Sequence, residues 1–106
     1  MAIYNTAILA SNTKLVSGTG NRAITTIIVC NTTGGDLPLT LHAVQNNGSG
    51  GAGTISAATQ IVHSLNVPAG DTVSFDQEKM VLTTGDDIWA VSSGTGLSAT
   101  VSTLAV

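Results

Sequence analysis

The stretch VPAGDTVSFDQEKMVLTTGDDIWAVSSGTGLSATVSTLAV, residues 67–106, decides the fold class. Within it, Val73 and Phe75 alternate with Thr72 and Ser74. Leu97, Ala99, Val101 and Ala105 alternate with Ser98, Thr100 and Ser102. A period of two is that of a strand with one face buried and one in water. Gly70-Asp71 and Gly85-Asp86 punctuate these runs, as turn residues between strands do. The stretch therefore predicts short strands whose inward residues, Val73, Phe75, Leu82, Trp89 and Val101, supply most of a core.

Outward from this stretch the pattern continues. About eight strand candidates are separated by turn signals every 8 to 12 residues, and no window carries the 3.6-residue period of an amphipathic helix. The expectation is an all-β protein: a single antiparallel β-sandwich, jelly-roll-like or immunoglobulin-like, with the strand order left open. In residues 61–67 the apolar phase is Ile61, Leu65 and Val67, which puts His63 inward. Residues 23–30 and 88–91 are apolar in both phases, as in a strand central to a sandwich or covered by a neighbouring subunit. Pro38 cannot donate to a ladder, so its strand begins there or lies at an edge. In residues 67–71, Pro68 suits the second position of a turn and Gly70 a positive φ. Residues 46–54, NNGSGGAGT, have almost no side chains to pack and predict a flexible Gly-rich loop.

The chain has 106 residues, enough for one domain spanning 1–106. Only 8% of residues are charged, against about 25% in a typical soluble domain, so the surface must be Thr, Ser, Asn and Gly. Weak electrostatic repulsion between such surfaces favours a homo-oligomer or a subunit of a larger assembly. The net charge of -3 and the scatter of Lys14, Arg22 and Lys79 exclude the clustered cations that a nucleic-acid partner requires. The N-terminal MAIYNTAILA has neither a cationic signal region nor a membrane-length apolar run, so synthesis in a cytoplasm and no membrane partner are expected.

Residues able to do chemistry are present without the constellations that chemistry needs. His42 and His63 have no Cys, Asp or Glu at metal-ligand spacing, and His63 reads as a core or interface residue and His42 as solvated. Asp71, Asp76, Glu78, Asp86 and Asp87 sit at turns that could face each other at one end of a sandwich. They lack the spacing of a calcium loop, and a glycosidase pair would have only Tyr4 and Trp89 to stack a sugar. GxSxG is absent, and GTGNR and NNGSGGAG lack the GK[ST] ending of a phosphate loop. Cys30 is the single cysteine and reads as a buried, inert thiol. Asn31-Thr32-Thr33 and Asn47-Gly48-Ser49 match the glycosylation pattern by chance composition. No catalytic, cofactor or metal site is expected, and the chain is read as no enzyme.

Two stretches, TKLVSGTGNRAITTIIVCNTTGGDLPLTLHAV and the closing VPAGDTVSF with KMVLTTGDDIWAVSSGTGLSATVSTLAV, resemble small virion structural proteins of tailed bacteriophages. The resemblance implies a capsid decoration or cement protein in the virion. The resemblance further implies homo-oligomers, with a trimer as the expected form, that bridge capsomers by contacting the major capsid protein. Its alternatives are a neck, tail or fibre subunit, or a carbohydrate- or cell-surface-binding module on a virion appendage. Residues 1–10 lie outside the resemblance. Their apolar Ile3, Tyr4, Ile8 and Leu9 are the candidate assembly contacts, either as an N-terminal arm docked on a neighbour or as the first strand of the domain itself.

Overall fold

A computed structural model of the chain describes residues 2–17, 21–48, 53–75 and 80–105. Nine strands follow one another: β1 (Ala2–Ile8), β2 (Thr13–Ser17), β3 (Arg22–Asn31), β4 (Leu37–Val44), β5 (Gln60–Val67), β6 (Thr72–Phe75), β7 (Met80–Leu82), β8 (Asp87–Val91) and β9 (Leu97–Ala105). A 3-10 turn, Ala57–Thr59, precedes β5, and the described residues contain no α-helix. Its start is fixed by a capping box in which Ser56 and Thr59 satisfy each other's backbone N–H groups.

Every pairing is antiparallel, and the strands form two sheets. Sheet A runs β1-β9-β3-β6, with β7 also on β3, and sheet B runs β2-β8-β4-β5. The pairs are nested: β1 with β9, β2 with β8, β3 with β6 and β7, β4 with β5. This is the strand order of a jelly roll, with β6 and β7 together taking the place of one strand, and it resolves the choice left open by the sequence.

The inward faces enclose one core. Ile24, Ile27 and Val29 of β3, Leu97, Ala99 and Val101 of β9, and Ile8 of β1 meet Leu39 and Leu41 of β4 and Ile88 and Ala90 of β8. Each fully buried Leu, Ile or Val contributes about 1.5–3 kcal/mol. Leu82 and Val101 are buried as expected, and Val73 and Phe75 pack against the core from its rim. Trp89 differs. The flanking Ile88 and Ala90 point inward, so Trp89 lies on the outer face of sheet B.

Bulges account for the other departures from simple alternation. The β3–β9 register shifts between Ile24 and Thr26, so Ile24 and Ile27 both face the core although they are three apart, and Ile28 faces out. In β5, Leu39 pairs with Leu65 but Leu41 with Val62, and Ser64 adopts a φ of 50°. The extra residue flips the phase, so Val62 packs toward the core while Ile61 and His63 are exposed. Pro38 pairs only with Asn66, before the β8 ladder begins at Thr40, which lets an interior strand begin with proline. In the 68–71 reversal Asp71 N–H donates to the Pro68 carbonyl at 3.0 Å, so Pro68 is the first residue of the turn and Gly70, at φ 72°, the third.

At one end of the sandwich the connections are fastened through Asn31, which is fully buried. Its amide nitrogen donates to the carbonyls of Val67 at 2.8 Å and Gly35 at 2.9 Å. Its amide oxygen accepts from Thr33 N–H at 2.9 Å, and its own backbone N–H reaches the Asp71 carbonyl. Thr32 adds two bonds to the Gly96 carbonyl. Gly96, at φ 130°, lies so close to Thr33 that a Cβ would sit 2.1 Å from the threonine methyl, which requires glycine there. A glycan on Asn31 is excluded by this burial. Ser49 of the second glycosylation match lies outside the described residues.

The Asn31→Ala variant leaves the buried Val67 carbonyl without its partner and frees the 32–36 turn. Its expected cost is about 3 kcal/mol, a fall in Tm of roughly 12–20 °C read by circular dichroism. A fall of a degree or two would show that the corner is held by something else.

Candidate functional site

The described residues offer surfaces rather than a cleft with converging functional groups, and the surfaces begin with the sheet edges. An exposed edge strand carries unpaired backbone groups ready to add another strand, unless charge, proline, brevity or a bulge blunts it. The β5 edge is bent by the Ser64 bulge and the β2 edge by a register shift between Lys14 and Val16. The edge opposite β1 in sheet A is split into a four-residue β6 and a three-residue β7. β1 has none of these protections. Its seven residues, AIYNTAI, pair with β9 in unbroken register from Ala2↔Thr103 to Ile8↔Leu97 and hold neither charge nor proline.

The four expected assembly contacts divide by phase along this edge. Ile8 is fully buried, and Tyr4 packs against the core, where Arg22 donates to its hydroxyl and lies 5.7 Å from its ring centroid. Ile3 and Leu9 are exposed and remain available to a neighbour.

The two outer faces differ in what lies on them. On sheet B, His42 and Asp87 are buried although their strands turn them away from the core, and Val44 is buried apart from the core cluster. The segment before β5 covers this side: Thr59 Oγ1 lies 2.7 Å from His42 Nδ1, and a Cβ on Gly53 would sit 1.8 Å from the Gln45 carbonyl oxygen. Lys14 closes the rest, with its ammonium 5.3 Å from the Trp89 ring centroid and 3.8 Å from Asp87 Oδ2. The histidine assignments are thus reversed, since His42 is covered and His63 is exposed. On sheet A no segment among the described residues covers the corresponding face, and Ile28 projects from its middle. The signal for this was present in the sequence as the apolar residue left over in β3, whereas Val81, between apolar Met80 and Leu82, and Leu104, beside Ala105, were missed because neighbouring residues are apolar in both phases.

The carboxylates serve the turns. Asp36 accepts from Ala69 N–H at 3.1 Å, and Asp71 accepts from Thr72 N–H at 3.0 Å. The Asp71 and Asp86 turns lie at opposite ends of the sandwich, one beside Asn31 and the other beside Asn46, so they do not face each other. Asp76 and Glu78 lie outside the described residues, and among the described residues no three of His, Cys, Asp and Glu converge. Of the expected loop 46–54, residues 49–52 are likewise outside the description. Its entrance is held by Asp86, which accepts from Asn46 N–H at 2.8 Å through one oxygen and from Thr83 N–H and hydroxyl at 3.0 Å through the other. Partial desolvation raises the Asp86 pKa, but the hydrogen bonds from Thr83 and Asn46 outweigh it and hold the carboxyl below its ordinary 3.8.

No family model and no curated protein matches the chain. Among solved structures, the chain is similar to one described in the words "Bacillus endospore appendages form a novel family of disulfide-linked pili". It shows 12% identity and a TM-score of 0.48, over 99% of this chain and 84% of the other. The expectation of a tailed-phage virion protein is corrected accordingly, because the comparison returns a pilus protein in its place. With that reading fall capsid decoration, the major capsid protein as partner, the trimer that went with it and the virion location.

The pH dependence of the Asp86 turn follows from the sign of its shift. A folded-state pKa below the unfolded one gives stabilisation that is present above pH 3.8 and lost as pH falls through the folded value. The Asp86→Asn variant should lose about 1–2 kcal/mol near neutral pH. In urea titrations the gap to the parent protein should narrow steadily below about pH 4. A gap that stays constant to about pH 2 would contradict the assignment.

Proposed function

We propose that this chain is a non-enzymatic structural subunit that assembles with copies of itself into a fibre. The observation that carries the reading is the β1 edge, a regular seven-residue strand with no protection against addition of another strand, in a molecule whose other edges are bent or short. Such an edge meeting a different edge of the next copy makes a head-to-tail contact, and a head-to-tail contact that does not close into a ring propagates as a filament. Sheet A offers the complementary edge at β6, so its ladder can continue from copy to copy. Pili such as those named for the similar structure are one form of such an assembly. The charge-poor surface supports the same reading, since few like charges oppose close packing. A non-enzymatic role is supported by carboxylates committed to turns and by histidines that do not share a site.

The alternating ladder gives a direct test. Of two consecutive residues in an edge strand, one turns its N–H toward the neighbouring strand and the other away. Thr6→Pro and Ala7→Pro are therefore compared. One should lose the fold, and the other should keep the parent's circular dichroism while no longer forming filaments in negative-stain electron microscopy. A parent protein that stops at a dimer, or a folded proline variant that still forms filaments, would overturn the reading.

A further inference from the structure

We propose that the outer face of sheet A is itself a contact surface, taken by the same face of a second copy. This inference rests on the self-assembly reading above and names a surface that reading does not use. β-Strand alternation and register place its residues in rows across the sheet. One row is Asn5, Thr100, Ile28 and Ser74, and the next is Ala7, Ser98, Cys30 and Thr72. On the other side of the Asn5 row come Ile3, Ser102 and Thr26, and beyond them Leu104, Ala23 and Val81. Of the seven large hydrophobic residues exposed among the described residues, Ile3, Ile28, Val81 and Leu104 lie on this face, with Ile3 and Val81 at 64% and 60% exposure.

Three observations select a second copy as the occupant. The first is charge: none of the charged side chains among the described residues lies on this face. Lys14 is on sheet B, Arg22 turns toward Tyr4, and the carboxylates are in turns or on sheet B. A neutral face meets its own copy without like-charge repulsion, whereas it offers nothing to a phosphate backbone or an anionic bilayer. The second is area. Four columns of strand (β1, β9, β3 and β6 with β7) about 4.8 Å apart, averaging about eight residues at about 3.3 Å each, give a footprint of roughly 19 by 27 Å, so a face-to-face pair covers about 1,000 Å². That is below the about 1,200 Å² at which stable interfaces begin, and suits a weak contact repeated along a fibre, where many copies act together. The third is the contrast with sheet B, whose outer face the chain covers with its own 53–59 segment. Two sheets of the same twist pack face to face with their strands within about 30° of each other, and a two-fold axis through Ile28 and Thr100 makes the contact self-complementary.

The test uses the full chain with Thr100→Arg at the centre of the face and Ser74→Arg at its exposed rim. Circular dichroism selects variants that keep the fold, and Ser74→Arg carries the test if Thr100→Arg does not. Sedimentation measures self-association, and labelling of the half-buried Cys30 with a small thiol reagent reports whether the face is covered. The expected result is self-association at least tenfold weaker in the arginine variants, with Cys30 in the assembled parent labelled at least tenfold more slowly than in dilute monomer. If the parent assembles but the variants assemble equally well and Cys30 reacts at the monomer rate, the face inference is overturned while self-assembly stands. If the parent is monomeric at every concentration, both are overturned. Capture of the monomer by neutral phosphatidylcholine vesicles, abolished by the arginine variants, would give the face to a bilayer and overturn the second copy.

Discussion

Antiparallel pairing between the two halves of the chain is the constraint on which the remaining structure depends. Every strand from β1 to β4 has its partner in the second half, so no sheet exists until residues far apart in sequence have met. The loop-closure entropy of such pairing must be paid before the core rewards it. The longest pairing, β3 with β9, carries a large share of that reward, because Ile27 with Val101 and Val29 with Ala99 enter the core together. Asn31 then makes the arrangement specific. It stands where β3 ends and bonds both the turn into β4 and the end of β5, so one satisfied carboxamide fixes how sheet A hands the chain to sheet B. A buried amide with every bond made holds one geometry, and a half-satisfied one would cost more than an apolar residue.

The fold class was legible because alternation is a local property. Residues 97–101 show it cleanly, and Leu97, Ala99 and Val101 are buried where alternation places them. The failures in β3 and β5 share one cause, the insertion of single residues that alternation cannot register. Ser64 reverses the phase of β5 and carries His63 out of the core. The extra residue near Thr25 aligns Ile24 with Ile27 and turns Ile28 outward. Trp89 was misread for a different reason. Ile88, Trp89, Ala90 and Val91 are apolar in both phases, and only the position of Asp87, on the side covered by the loop, reveals which phase is inside. The strand order was not legible, since pairing partners in a jelly roll are set by packing of the whole chain.

The candidate surfaces were legible in kind rather than in place. Low charge pointed to association, and β1 drew attention through its apolar residues, but half of those residues serve the molecule's own core. The open edge is a backbone property, visible once it is known that β1 lies at the end of its sheet and that its register never shifts. The resemblance to phage proteins rested on strand and turn patterns that any hydroxyl-rich sandwich can share. Such patterns specify architecture, whereas function resides in particular surfaces placed on it.

The difference between the two outer faces also bears on how an open edge is tolerated. A subunit with an unprotected strand risks indiscriminate pairing, and its usual defences, charge and proline, are absent from β1. Discrimination must then come from the geometry beside the edge. Residues pointing outward along β1 continue directly into the neutral face of sheet A, since Asn5 bonds the Thr100 hydroxyl and shares its row with Ile28 and Ser74. A strand added at β1 therefore lengthens each row of that face by one residue, and only a strand with small, neutral outward residues leaves it flat enough to cover. A copy of this chain meets that requirement at β6, where Thr72 and Ser74 point outward. The edge supplies backbone hydrogen bonds without regard to sequence, and the face supplies the selectivity that the edge lacks.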